Sequence, residues 1–138
     1  MKTRIGIYSV DFVLINTIRG ISKAKTKKEK LTIKKKNSRV FEKVNVYFAS
    51  DRYDVFAEKG CKCINCGIEG TYFALEGDLN NKQNRYHFNL YAINPEGKEV
   101  LMTKDHHYPK SKGGEDIISN YEPMCEICNS SKGSKIVA

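Results

Sequence analysis

Residues 105–129 read DHHYPKSKGGEDIISNYEPMCEICN, and this stretch decides how the chain folds. It combines a carboxylate, two adjacent histidines, a glycine pair and a CxxC pair. A second CxxC pair lies upstream. Two intervening residues let both sulfurs of such a pair face one tetrahedral ion at about 2.3 Å, and four thiolates leave no open position for water. The two pairs therefore predict a structural zinc site made by Cys63, Cys66, Cys125 and Cys128.

The fifth cysteine, Cys61, leaves one choice open. Its spacing from Cys66 is also compatible with a ligand pair, so Cys61 in place of Cys63 is an alternative. A redox-active CxxC is a second alternative, but two independent pairs in one short chain favour a metal. Because paired cysteines hold metals mainly in reducing compartments, we expect a cytoplasmic protein.

The charge of the chain points to a polyanionic partner. Its 138 residues carry a formal net charge of +8, and each phosphate that a cation neutralises releases condensed counterions. Nucleic acid is the first candidate and an anionic membrane surface is the competitor. We expect no membrane partner, because no apolar run is long enough to span a bilayer and no lipidation motif is present. The apolar run at residues 12–15 is also too short for a secretory signal.

The N-terminal third differs in composition from the rest of the chain. Residues 1–46 contain no cysteine, histidine or proline, and residues 19–43 hold eleven lysines and arginines against two glutamates. Such a block repels itself and is often a mobile arm. We therefore predict a basic N-terminal extension over residues 1–46 and a functional domain over residues 47–138.

Local patterns predict a mixture of helices and strands. In the extension, Phe12 to Ile18 have near-helical spacing, with Asp11 as a cap and Gly20 as a stop. A second helix is expected between Ser50 and Gly60. Alternating apolar residues, turn residues and a returning apolar run then predict strands and a hairpin, at Thr71–Leu75, at Tyr86–Ile93, across a turn at residues 94–97, and at Val100–Met102.

The order of residues after this hairpin resembles the zinc-stapled branch of the HNH endonucleases. The matching features are Asp105-His106, Pro109 three residues after that histidine, the glycine pair, Asn120, and CxxC followed by Asn and a closing Lys132. The resemblance covers roughly residues 52–133. The sequences of the hairpin and of residues 109–114 are especially similar to those of small bacteriophage nucleases.

The resemblance implies an α+β fold with a ββα-metal core, clamped by the four-cysteine zinc. A strand would carry Asp105 and His106, a loop would follow, a second strand would lie near Asn120, and a helix would begin near Cys125 or Cys128.

The resemblance also implies a role for each site residue. Asp105 and Asn129 would bind one divalent cation, Mg²⁺ or Mn²⁺, and His106 would be the general base. Asn120 would fasten the loop without touching the metal. Because a base must be neutral, activity is expected to fall at acidic pH. The candidate phosphate contacts are Lys104, Lys110, Lys112 and Lys132.

Strand alternation favours the other histidine, because it places Asp105 and His107 on one face. We prefer His106, since Pro109 lies three residues after it as in the family. His107 stays the alternative base, and otherwise is a packing or phosphate-contacting residue.

Taken together, these residues predict an endonuclease that hydrolyses DNA phosphodiesters with a histidine base and one divalent cation. One site per chain would nick one strand per encounter, in a monomer or a homodimer, and in the host cytoplasm if a phage encodes it. The alternatives are a zinc-stabilised DNA- or RNA-binding module without cleavage, and an interaction or inhibitory protein. RNA stays open as the substrate, because the predicted site does not read the sugar.

Overall fold

The computed structural model describes residues 2–18, 26–78 and 85–132. It confirms an α+β fold. None of the helices in these ranges has the length and apolar composition that crossing a bilayer requires. The elements are β1 (Lys2–Ser9), α1 (Val10–Asn16), α2 (Lys27–Asn37), β2 (Ser38–Phe41), β3 (Val44–Tyr47), α3 (Asp51–Lys59), β4 (Gly70–Asp78), β5 (Arg85–Ile93), β6 (Glu99–His106), β7 (Tyr121–Cys125) and α4 (Glu126–Lys132), with 3₁₀ turns at Lys110–Lys112 and Ile118–Asn120.

Within the described residues, seven strands form one sheet with β5 at its centre. One edge of β5 pairs antiparallel with β4, which pairs with β1. The other edge pairs first in parallel with β3, opposite Asn45, and then antiparallel with β6, opposite Leu101. β2 continues the sheet beyond β3, and β7 continues it beyond β6. β5 therefore joins the N-terminal strands to the hairpin that carries residues 105 and 106.

Helix α3 supplies a hydrogen-bond partner for β5 on the edge where β5 pairs with β3 and then with β6. The backbone N–H of Phe88 donates a hydrogen bond to Tyr53 Oη at 3.1 Å. The ring of Tyr53 and that of Phe56 pack edge-on against Phe73. All four of these aromatic side chains are at most 2% exposed, and burying each contributes about 1.5–3 kcal/mol. The core thus fixes α3 against the middle of the sheet.

The elements predicted in the middle of the chain are confirmed. Helix α3 begins after Ser50 and ends before Gly60. The strands predicted at residues 71–75 and 86–93 lie within β4 and β5, and the turn at residues 94–97 leads into β6.

The basic N-terminal segment differs from the expected mobile arm. In the described residues its strands β1 and β3 pair with β4 and β5, and Val13 and Val46 are at most 1% exposed. The high lysine content of the segment favoured an arm, but its apolar residues belong to the core. The division at residues 46 and 47 stays a prediction about function.

The predicted first helix exists but is capped differently. Helix α1 begins at Val10, and the Ser9 hydroxyl accepts from the backbone N–H of Phe12 at 3.1 Å. Asp11, the predicted cap, lies inside the first turn, where a carboxylate suits the helix dipole. The predicted stop at Gly20 lies outside the described residues.

A polar network covers the face of β5 that carries Asn89 and Tyr91. Asn89 Nδ2 and Tyr91 Oη donate to Glu76 Oε1 at 2.9 and 2.5 Å, and an Arg4 guanidinium nitrogen lies 2.8 Å from Glu76 Oε2. Glu76 is 4% exposed. Burial opposes ionisation of this carboxyl, but the three donors outweigh it and hold the pKa of Glu76 below its usual value. Both faces of the central strand are therefore covered.

Replacing this carboxylate should lower stability in a pH-dependent way. We expect Glu76→Gln to reduce the free energy of unfolding by about 1 to 3 kcal/mol at neutral pH, because buried donors lose a charged acceptor. The lowered pKa makes this stabilisation fully present above about pH 4.3 and lost as the pH falls through the pKa of the folded protein. Urea unfolding of both proteins across the acidic range should show the gap narrowing. A gap that widens at low pH would contradict the assignment.

Candidate active site and metal centre

The four cysteines predicted as zinc ligands lie together. The sulfurs of Cys63, Cys66, Cys125 and Cys128 are all within 4.8 Å of one another. Cys66 Sγ and Cys125 Sγ are 3.8 Å apart, and a tetrahedral ion with bonds of about 2.3 Å separates its sulfur ligands by about 3.8 Å. Cys61 is not a member of this group. The donor set therefore fits a tetrahedral metal ion such as zinc, with Cys63 rather than Cys61 as a ligand.

Each CxxC pair forms a turn that points backbone N–H groups at its first sulfur. The N–H of Cys66 lies 3.5 Å from Cys63 Sγ, and that of Cys128 lies 3.4 Å from Cys125 Sγ. Gly67 follows the first pair with a φ of 79°, a conformation that favours glycine. N–H donors at a sulfur stabilise its thiolate form, which is the form that binds metals.

The acid–base properties of the cluster also suit a cation. Burial opposes ionisation of the Cys63 thiol, but the surrounding backbone N–H groups, that of Cys66 first, lower its pKa to about 6. Burial raises the pKa of Cys125 to about 12, and the adjacent thiols of Cys128 and Cys66 add to this effect. Thiolates this close repel one another, and a divalent cation between them removes that repulsion.

This cluster clamps two distant segments together. The first pair lies in the loop after α3, and the second lies at the junction of β7 and α4. The backbone N–H of Ile64 also donates to the carbonyl of Pro123 in β7 at 2.8 Å, and Asn65 Nδ2 lies 3.3 Å from Cys128 Sγ. The clamp fixes the start of α4, and therefore the position of Asn129, which follows the last cysteine.

The hairpin β6–β7 and α4 form the ββα arrangement. Asp105 pairs with Glu122 across the hairpin, and His106 pairs with Tyr121. Helix α4 packs against both strands. The two strands and the helix are close to their predicted positions, with β7 beginning one residue after Asn120.

Asp105 and Asn129 lie at the interface between β6 and α4. Asn129 Nδ2 donates to Thr103 Oγ1 at 3.1 Å, and Thr103 lies two residues before Asp105 on the same face of β6. A carboxylate and an amide oxygen are ligands that Mg²⁺ and Mn²⁺ accept. The chemistry of this pair is therefore compatible with a hard divalent cation.

Lys132 occupies this interface as well. Its ammonium group contacts the Asp105 carboxylate and donates to the carbonyl of His106 at 2.6 Å. The Lys132 side chain is only 4% exposed. This lysine was predicted as a phosphate contact, which stays a prediction; the structure adds an ion pair with the proposed metal ligand.

His106 lies on the opposite face of β6 from Asp105. Its Nε2 is 2.6 Å from Asp116 Oδ1, and its ring packs edge-on against Tyr121 with 5.0 Å between centroids. Both His106 and Asp116 are about one quarter exposed. His107 is exposed, and its backbone N–H donates to the Asn120 carbonyl at 2.7 Å. A histidine with a carboxylate partner can be held in one orientation, as a general base requires.

Asn120 ties the loop between the two strands. Its Oδ1 accepts from the backbone N–H of Tyr108 at 2.9 Å, and its Nδ2 donates to the carbonyls of Tyr108 and Glu115 at 3.1 and 2.8 Å. Gly114 lies so close to the loop that an added Cβ would be 1.8 Å from the Tyr108 carbonyl oxygen. The loop therefore depends on this glycine and on the Asn120 amide.

The other predicted phosphate contacts lie around the histidine. Lys104 Nζ is 3.5 Å from Asp51 Oδ2 and 4.1 Å from the centroid of Tyr121. Lys110 Nζ is 3.2 Å from Asp116 Oδ2, and the Lys110 side chain is 70% exposed. Lys112 is exposed. Lys104 shares the Tyr121 ring with His106 and Lys110 shares the Asp116 carboxylate with it, so these two cations lie close to the histidine.

Two contacts of the site were not anticipated from the sequence. Asp116 lies ten residues from His106, and no periodicity links the two; the available signal was a carboxylate two residues after the glycine pair. Thr103 carried no signal of its own, because its contact with Asn129 depends on how α4 crosses β6.

Comparisons with known proteins bear on the same segment. Residues 94–138 match the family model described as HNH endonuclease. Searches of curated proteins and of solved structures returned no match. The predicted likeness to bacteriophage nucleases therefore stays a prediction. The match spans the hairpin, its loop and α4, so this segment is similar to HNH endonucleases, and we call residues 94–138 the HNH segment.

Proposed function

We propose that this protein is a metal-dependent endonuclease that hydrolyses DNA phosphodiester bonds. One observation carries the proposal. The HNH segment brings Asp105 and Asn129 to the β6–α4 interface and places His106 beside Asp116 at the end of the same strand. Asp105 and His106 project from opposite faces of β6 but are its last two residues, so the two oxygen ligands and the histidine lie around one strand end. These are the groups that phosphodiester hydrolysis requires.

In this proposal each residue has one task. His106 accepts the proton of the attacking water, and Asp105 and Asn129 hold Mg²⁺ or Mn²⁺. When bound there, the cation would supply stabilisation of the charge that develops on the phosphate oxygens. Asn120 positions the loop, and Lys104, Lys110, Lys112 and Lys132 supply positive charge toward the DNA backbone.

Lys132 has a second task in the proposal. Its buried ammonium neutralises Asp105 before a cation arrives, and a largely desolvated carboxylate without a partner is costly. The four-cysteine site holds zinc with a purely structural role, because four thiolates leave no place for water. Four metal-binding thiols also favour the reducing cytoplasm as the location.

Asp116 is proposed as a positioning residue for His106. We expect Asp116→Asn to lower the rate of nicking at saturating DNA by about tenfold or more, because the amide cannot hold the imidazole as a carboxylate does. KM and the melting temperature should change little. Lys110→Gln, which removes another partner of Asp116 and one proposed DNA contact, is the matched control; it should raise KM but keep most of the rate at saturating DNA. An unchanged rate in Asp116→Asn, or an effect confined to KM, would contradict a positioning role for Asp116.

The proposal is tested by nicking of supercoiled plasmid by the zinc-loaded full chain. Conversion to the open circle is expected with Mg²⁺ or Mn²⁺ and not in the presence of a chelator too weak to remove the zinc. A labelled RNA of the same sequence tests the sugar preference. Binding of DNA without any cleavage would favour the zinc-stabilised binding module instead, and neither binding nor cleavage would favour an interaction protein.

A further inference from the structure

A second feature of the molecule lies away from the HNH residues, between α2 and the beginning of β5. It is a groove of about 520 Å³. Its charged and aromatic lining residues are Lys34 and Lys35 of α2, Tyr47 of β3, and Arg85, Tyr86 and His87 of β5. Leu31, Ser38 and Asn45 complete the walls of the groove.

The groove carries one sign of charge. Among the residues that the structure describes, it is lined by two lysines and an arginine and by no aspartate or glutamate. Lys34 and Lys35 are exposed on the helix, and Arg85 is exposed at the start of its strand. A cleft lined by charges of one sign concentrates ligands of the opposite sign. The lining therefore favours an anion, and a volume of about 520 Å³ between a helix and two strands has room for a polymer segment rather than a single ion.

Aromatic rings alternate with these cations. Tyr47 and Tyr86 are partly buried and His87 is exposed. The parallel register places Val46 opposite Tyr86, so Tyr47 and His87 come next to each other on the neighbouring strands. Positive charges that follow a phosphate backbone, together with rings on which bases stack, are typical of sites for single-stranded nucleic acid. In a duplex the bases are already stacked on one another and do not offer their faces.

The groove is connected to the hairpin of the HNH segment. Arg85 and His87 also line an adjoining recess of about 360 Å³ that extends to Arg52 and Leu101. This recess has mixed charge, so it links the two regions without adding to the cation cluster. Asp51, next to Arg52, lies 3.5 Å from Lys104 Nζ, and Lys104 is two residues before His106 on the same strand. The recess, which Glu76 and Asp78 also line, therefore extends the groove toward β6, the strand that carries His106.

We propose that the groove binds a single-stranded segment of nucleic acid and that the adjoining part of the substrate reaches His106. This inference rests on the proposed nuclease function for its second half. The groove itself requires no cleavage chemistry, so binding and cleavage are separable by experiment. A substrate with an unpaired segment next to a duplex fits the two regions better than a continuous duplex does.

The test is fluorescence anisotropy of the zinc-loaded full chain with a short labelled DNA oligonucleotide, single-stranded or annealed to its complement, without added divalent cation. The double variant Lys34→Gln/Lys35→Gln removes two groove charges. The matched control, Lys30→Gln/Lys36→Gln, removes two exposed charges from the same helix that do not line the groove. Thermal melting of each variant checks that the fold is retained.

We expect the wild type to bind the single strand more tightly than the duplex. The groove variant should bind the single strand about tenfold more weakly, and the control less than about twofold more weakly. The slope of log affinity against log salt should fall by about 1.4 in the groove variant, because each phosphate contact to a single strand contributes about 0.7. Tyr47→Leu, which keeps the charge, should weaken single-strand binding by about fivefold or more through lost stacking.

Three results would overturn the proposal: equal losses in groove and control variants, equal affinity for single strand and duplex, or displacement of the oligonucleotide by polyglutamate as effectively as by unlabelled DNA. The last result would identify an acidic-peptide site. Normal plasmid nicking with unaltered binding by the groove variant would remove only the groove. Binding that depends on the groove in a protein that nicks nothing would leave the groove and remove the nuclease.

Discussion

Replacing His106 with alanine is expected to lower the rate of plasmid nicking by about 100- to 10,000-fold, which is the contribution of a positioned general base. The reason is specific to this histidine. Its Nε2 lies 2.6 Å from Asp116 Oδ1, and its ring packs on Tyr121 at the end of β6. The measurement is the initial rate of open-circle formation at saturating Mg²⁺, with zinc content and melting temperature recorded for each protein.

His107→Ala is the matched control for this prediction. The two residues are adjacent, but His107 is exposed, and the contact recorded for it runs through its backbone N–H to the Asn120 carbonyl. We expect the His107 variant to keep its rate within a few-fold of wild type. If His107→Ala abolished nicking and His106→Ala did not, the base would be the histidine that strand alternation favours, and the role given to Asp116 would fall with it.

Removing one zinc ligand is expected to have the largest effect on stability. Cys63→Ser should lose stoichiometric zinc and the cooperative unfolding of the HNH segment, because a structural zinc contributes about 10 kcal/mol or more to small domains at neutral pH. Cys63 is 3% exposed and lies in the cluster that joins the loop after α3 to α4. Zinc content by atomic emission and thermal unfolding by circular dichroism measure both effects on the same sample.

Cys61→Ser separates metal binding from the general cost of losing a thiol. Cys61 lies two residues away, is partly buried, and is not in the sulfur cluster. This variant should retain one zinc and unfold close to the wild-type temperature. Retained zinc in Cys63→Ser together with lost zinc in Cys61→Ser would show that the first knuckle uses the other cysteine.

The parts of this molecule that were predictable from sequence depend on local chemistry. Each CxxC pair fixes the positions of its two sulfurs within a few residues, and Gly67 allows the turn after the first pair. The cluster could therefore be predicted without knowing the fold. Gly60, with a φ of 87°, ends α3 for a similar reason, whereas Ser50 precedes the helix without a cap hydrogen bond from its side chain. The HNH residue order added the hairpin and α4, because those residues lie within one continuous segment.

The parts that were missed depend on long-range pairing. Nothing near β1 indicates that it pairs with β4, more than 60 residues later, as in the pair Tyr8 and Phe73. Eleven basic residues made the N-terminal segment resemble an arm, although its apolar positions belong to the core. The contact of Lys132 with Asp105 also depends on the packing of α4 on β6, which a sequence pattern does not specify.

The function proposed for the lysines of α2 also depends on long-range packing. In the sequence, Lys34 and Lys35 belong to a run of basic residues that indicates only general positive charge. The fold places them in the lining of one groove together with Tyr47 and Arg85. A general basic arm would lose affinity in proportion to the charges removed, wherever they lie. A built groove would respond to which lysines are removed, and this difference makes the paired variants informative.

The most direct test of the proposed catalytic centre is a calorimetric titration of Mn²⁺ into the zinc-loaded wild type and Asp105→Asn, with nicking measured on the same samples. We expect one Mn²⁺ site in the wild type, no measurable site in Asp105→Asn, and loss of nicking in parallel. Cleavage that survives in Asp105→Asn, or Mn²⁺ binding that is unchanged by the substitution, would contradict the placement of the catalytic cation at the β6–α4 interface.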